Sequence, residues 1–135
     1  MTSLLVWARA RVRVGSQSIY LYRFDHPLPV KEPPSFGAFH TGEVPFVFGN
    51  LDAGSRPWDA VDRRLSREMQ ESWLAFMKSG DPNAKGRPQW PRVSESSDVV
   101  MAFDLAAGMR PAVSSAARRD VLEGYALTGG ELSLF

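Results

Sequence analysis

Between about Asp59 and Lys78 apolar side chains recur at three- and four-residue steps, with Val61, Leu65, Met69, Trp73, Phe76 and Met77 on one face of a helix. Arg63, Arg64, Arg67, Glu68 and Glu71 occupy the remaining surface and read as a solvated face. Gly80 supplies the stop, and Asp81-Pro82-Asn83 forms the turn beyond it. No other stretch of the chain is as regular.

Residues 4–14 fit two templates. Val6, Ala8, Ala10, Val12 and Val14 alternate with Trp7, Arg9, Arg11 and Arg13 as a strand would, while Leu4, Leu5, Ala8 and Val12 line a helix face; the helix is favoured. Ser18 to Phe24 is dense in aromatic and apolar residues without alternation, the pattern of a strand buried on both faces. From Asp25 to Phe36 four prolines remove backbone donors, so this segment is a loop. Val99 to Asp104 is a short strand. Residues 80–98 form an ordered loop anchored by a buried Trp90, and residues 115–127 a last helix with Val121, Leu122 and Tyr125 inward, ended by Thr128-Gly129-Gly130.

The chain has 135 residues, enough for one domain with a core. Its formal net charge of +1 provides no field that would draw a nucleic acid or an acidic membrane. Cysteine is absent, which excludes disulfides, thiolate metal sites and a thiol nucleophile within this chain. No apolar run approaches the roughly 18 residues of a membrane span, no signal peptide is recognised, and neither Asn50 nor Asn83 opens a glycosylation acceptor, so a cytoplasmic location is favoured.

The remaining chemistry rests on two histidines. His26, in Asp25-His26-Pro27, reads as an exposed, solvated imidazole. His40 sits in Gly37-Ala38-Phe39-His40-Thr41-Gly42-Glu43, a glycine-bounded loop followed at once by the apolar block Val44 to Phe48, which pins it to an apolar wall. No His-X-X-His, His-Glu-X-X-His or acidic triad accompanies it, and no glycine loop suited to phosphate is present; neither metal nor nucleotide cofactor is expected.

At these residues the chain resembles a known family. Gly37-Ala-Phe-His-Thr-Gly-Glu-Val-Pro-Phe-Val-Phe-Gly49 is similar to the catalytic-histidine loop of the type-B carboxylesterases, the group that includes the cholinesterases. Tyr20 to Asp25 looks like the strand before that loop. Met69 to Asn83, the Trp90-Pro91 pair and Val100 to Asp104 resemble the succeeding elements in the same order. The resemblance is clear over 16–104, and residues 1–135 read as the C-terminal part of a carboxylesterase domain.

That resemblance implies an α/β-hydrolase fold, of which this chain would hold one or two core strands, the histidine loop and amphipathic helices without the nucleophile half. His40 would be the general base of a serine esterase that hydrolyses carboxylic esters through an acyl-serine intermediate. Glu43, Gly37 and Gly42 would support the loop, Pro45, Phe46 and Phe48 would anchor it, and Phe39 and Phe46 are candidates for lining the substrate pocket. The chain departs from the family in two respects: none of its fourteen serines has glycine at both flanking second positions, and the oxyanion segment is missing too. Only Asp25 and Glu32 precede His40 as acids. A histidine base without its serine has nothing to deprotonate, so the chain by itself is expected to be inactive and to expose apolar faces that the rest of the sheet would cover. The alternatives are a non-catalytic cholinesterase-like binding module or a truncated remnant.

Overall fold

The computed structural model describes residues 1–30 and 36–130; the middle of the proline-rich loop, with Glu32, lies outside them. The elements run α1 (Thr2–Val14), β1 (Tyr22–Phe24), α2 (Val44–Val47), a 3-10 turn (Leu51–Ala53), α3 (Ala60–Ser79), β2 (Val99–Phe103), β3 (Gly108–Pro111) and α4 (Ala116–Leu127). The ambiguous N-terminal segment is therefore helical. The three strands form one sheet in the order β1-β2-β3, with β1 parallel and β3 antiparallel to β2.

Helix α3 forms where the periodicity places it, with the expected Gly80 stop at one end and a capping box at the other. The Asp59 carboxylate caps the first turn by accepting from the N–H groups of Val61 and Asp62, and Asp62 returns a bond to the Asp59 N–H. Gly80 ends the helix at φ +72°, a conformation that costs a residue with a Cβ but not glycine.

The buried face of α3 differs from the apolar stripe. Leu65 and Met69 are buried, but so are the polar Asp62, Ser66 and Ser72, while Phe76 is exposed and Met77 is 70% exposed. The helix is longer than the layer it packs on, and its end beyond Trp73 runs past the core. Leu65 and Met69 meet Leu28, Phe46, Leu51, Trp90, Met101 and Phe103 in the main core, with Trp73 and Tyr22 packed against it. Trp90 is the anchor expected of its loop: Asn83 clamps its backbone through both amide atoms, and its indole N–H donates to the Leu21 carbonyl at 3.1 Å.

Two further expectations are corrected. The two-face-buried strand of residues 18–24 is only three residues long and half-buried throughout, and among the described residues β1 pairs along one edge, with β2. Helix α4 forms within the expected residues and begins on a Ser115 cap, yet Val121 is 71% exposed and Tyr125 is also exposed, since α4 lies against α1 rather than over the sheet. The strand β3 and the single helical turn α2 carry no periodic signal, being too short for one.

Candidate functional site

The segment from His26 to Asn50 leaves the C-terminal end of β1 and returns to the body of the protein at α2. Successive turns shape its tip: the Gly42 N–H donates to the Phe39 carbonyl at 2.9 Å and the Val44 N–H to the Thr41 carbonyl at 3.2 Å. Gly42 is buried, and a Cβ there would come within 2.8 Å of the Leu28 side chain and 2.9 Å of the Phe39 carbonyl, so only glycine fits this turn. Gly37 stands at φ +66°, and its carbonyl accepts from the Leu28 N–H at 3.3 Å, closing the base of the loop.

His40 is exposed at the tip, and among the described residues its imidazole has no hydrogen-bond or ion-pair partner. Next to it Thr41 takes φ +70°, the one non-glycine residue with positive φ among those described. A β-branched residue is rare there, because its Cβ crowds the following carbonyl. Phe39 is half-exposed with the Arg56 guanidinium 5.9 Å from its ring centre, and Arg56 also donates to the Pro29 carbonyl at 3.1 Å. The loop is thus pinned on both sides of His40 while the imidazole points at solvent.

Phe46 has no exposed surface. Its ring lies among those of Phe24, Trp58 and His26 at 5.1, 5.4 and 5.7 Å, which seats α2 on the core. Glu43 begins α2, and its backbone carbonyl accepts from the Phe46 and Val47 N–H groups. Its side chain borders an open apolar groove of about 470 Å³ that also takes in Tyr22, Val47, Phe48, Trp73, Leu74 and Met77. Burial, reinforced by the Glu43 carboxylate, holds the Tyr22 hydroxyl above its ordinary pKa.

Of the two acids that precede His40 in the sequence, Asp25 is described, and it does not meet the imidazole. Asp25 takes both its hydrogen bonds from Arg23 Nε, at 2.7 and 2.9 Å, and the pair lifts the Arg23 pKa further; Glu32 lies outside the described residues. No group of three His, Cys, Asp or Glu side chains suited to a metal occurs among the described residues, and no helix there is long and apolar enough to cross a membrane.

His26 is the correction that matters most. It is 5% exposed, not solvated, and its Nε2 lies 2.7 Å from Asp62 Oδ1. Its Nδ1 is buried without a hydrogen bond, 3.9 Å from Asp104 Oδ1. The Asp59…Asp62 capping box could have flagged Asp62, but nothing near His26 in the chain signals its burial, which depends on α3 crossing over it.

A sequence profile of the carboxylesterase family matches residues 2–119. The chain is 39% identical over 114 residues to the para-nitrobenzyl esterase of Bacillus subtilis strain 168, covering 77% of this chain and 22% of that protein. It is 32% identical over 118 residues to the human cocaine esterase, covering 84% and 20%. Among solved structures, a thermophilic PNB esterase superposes with a TM-score of 0.71 at 30% identity over 86% of this chain and 24% of its own. The chain therefore spans about a fifth to a quarter of the length of these relatives. Its three-stranded sheet with flanking helices is a portion of the α/β-hydrolase fold they share, and with the profile running through every element from α1 into α4, the chain belongs to the carboxylesterase family.

Proposed function

We propose that this chain is the histidine-bearing C-terminal segment of a serine carboxylesterase, with His40 as general base and acid, and that it acts on small carboxylic esters once a nucleophile-bearing segment completes the fold. The observation that carries the reading is the contrast at His40: the loop is held by a buried glycine, a cation–π contact and a fully buried phenylalanine, yet among the described residues the imidazole has no hydrogen-bond or ion-pair partner. A structural histidine in so constrained a loop would bond to its surroundings; this one is presented outward, as a base awaiting its substrate proton is.

In the assembled enzyme, neutral His40 takes the proton of a serine hydroxyl as the serine oxygen attacks the ester carbonyl. The resulting imidazolium gives that proton to the departing alkoxide, leaving an acyl-serine. Water then repeats the sequence, with His40 as base toward water and as acid toward the serine oxygen, releasing the carboxylic acid. Phe39, exposed beside His40, is placed to border the acyl or alcohol pocket, and Gly37, Gly42 and Glu43 support the loop.

The test is complementation. The chain is mixed with the N-terminal four-fifths of a related esterase and hydrolysis of a p-nitrophenyl ester is followed. Activity should appear only with both parts and fall by about three orders of magnitude or more with His40→Ala, as loss of a triad member does. Reconstituted activity that survives His40→Ala refutes the role, and a stable complex without hydrolysis favours a non-catalytic binding module.

A further inference from the structure

Both ends of the His40 loop are tied to one face of α3 by polar side chains at four-residue steps, Asp62, Ser66 and Gln70. At the near end His26 Nε2–H donates to Asp62 Oδ1 at 2.7 Å, and the other Asp62 oxygen accepts the Asp59 N–H at 2.8 Å. At the far end the Ser66 hydroxyl donates to the Phe46 carbonyl at 2.8 Å, and the Gln70 amide braces Ser66 through its hydroxyl at 3.1 Å and its carbonyl at 3.2 Å. Gln70 in turn lies against Gly49, where a Cβ would stand 2.5 Å from its Oε1.

Apolar contact would suffice to hold the loop down. A buried carboxylate and imidazole are costly unless paired, and what such a pair adds over an apolar one is direction. The donor must meet the acceptor at one position along α3, whereas Phe46 alone could slide against its neighbours. Asp62 is well suited to the task, since it occupies the first turn of α3, where the unsatisfied N–H groups favour negative charge.

We propose that His26, acting through Asp62, is a positioning residue for His40: with Ser66 and Gln70 it sets the height at which the loop presents the base, and breaking it frees the loop without unfolding the sheet. The inference rests on His40 being the base.

The experiment compares wild type, His26→Ala and His26→Gln in the full chain by hydrogen exchange, and the same variants in the complemented enzyme by kinetics. A Gln amide N–H can stand near the position of Nε2, so His26→Gln keeps the bond to Asp62. His26→Ala should speed exchange in residues 36–50 by about tenfold, the loss of one buried hydrogen bond, with residues 99–112 unchanged and His26→Gln close to wild type. In the complemented enzyme His26→Ala should lower kcat with KM unchanged, and His26→Gln should restore it. Equal acceleration in both segments, or no rescue by Gln, overturns the proposal. A kcat indifferent to His26→Ala while His40→Ala abolishes hydrolysis also overturns it, and leaves the role of His40 standing. Hydrolysis that survives His40→Ala refutes that role itself and the positioning proposal with it.

Discussion

Thr41→Gly should stabilise this protein, although it removes a side chain from a well-formed turn. Thr41 sits at φ +70°, where a residue with a Cβ pays roughly 1–2 kcal/mol relative to the right-handed region and a β-branched one the upper part of that range. Glycine pays nothing there but brings about 0.5–1 kcal/mol of extra backbone entropy from the unfolded chain. The side chain offers little to set against this: Thr41 is exposed, and among the described residues its hydroxyl donates only to the carbonyl of its own neighbour, His40. The strain term wins by about 0.5–1 kcal/mol, which for a chain of this size is a rise in Tm of roughly 2–4 °C. The assay is urea unfolding followed by tryptophan fluorescence, with the midpoint rising at constant m, beside a thermal scan. Thr41→Val keeps the β-branching and loses the hydroxyl, so it should fall below wild type. A Thr41→Gly midpoint equal to or below wild type would show that the left-handed conformation is not strained in solution and refute the reasoning.

Three other outcomes follow from the same geometry. Phe46→Ala should cost about 3–5 kcal/mol in urea unfolding, because a fully buried ring is removed from contact with three aromatic neighbours; a cost under about 1 kcal/mol would mean that α2 is not seated on the core. Asn83→Ala breaks both hydrogen bonds to the Trp90 backbone and should destabilise by about 2 kcal/mol with a red shift of the Trp90 emission, whereas Asn83→Asp, which keeps the acceptor for the Trp90 N–H, should cost less. Stability should decline as pH falls below about 4: the Arg63 guanidinium holds Asp52, and the Asn83 N–H holds Asp81, below the ordinary carboxylate value of 3.8, so their contribution is complete above that value and is lost as pH drops through the folded pKa values. Tyr22 works in the opposite sense, its raised pKa making stability fall as pH rises past about 10, and a denaturation midpoint flat from pH 3 to 7 and again above 10 would contradict both assignments.

Among the described residues no carboxylate bonds to the His40 imidazole, and Asp25 is engaged with Arg23. The exposed apolar groove beside Glu43 has a matching explanation. Phe48, 75% exposed at the end of α2, and Met77 on the last turns of α3 border this groove together with Tyr22 of β1. In a chain that covers about a fifth to a quarter of its relatives' length, such a face is what a larger sheet would be expected to cover.

Local chemistry was legible wherever one short stretch carried the whole instruction. The helix of residues 60–79 announced itself through its period and Gly80, and the Trp90 anchor through its proline-rich setting. The histidine loop was legible because its glycines and apolar block lie within a dozen residues of each other. What the sequence could not convey was decided by partners distant in the chain. Whether a residue is buried depends on what crosses it: α3 covers His26 from thirty-six positions away, so a histidine that reads as solvated becomes half of a buried pair. The same dependence put Asp62 and Ser66 inside and left Met77 and Val121 outside, since the sheet here is too narrow to reach the end of α3, and α4 settles on α1 instead. Periodicity reports which faces of an element could be buried, and only the tertiary structure decides which of them find something to pack against.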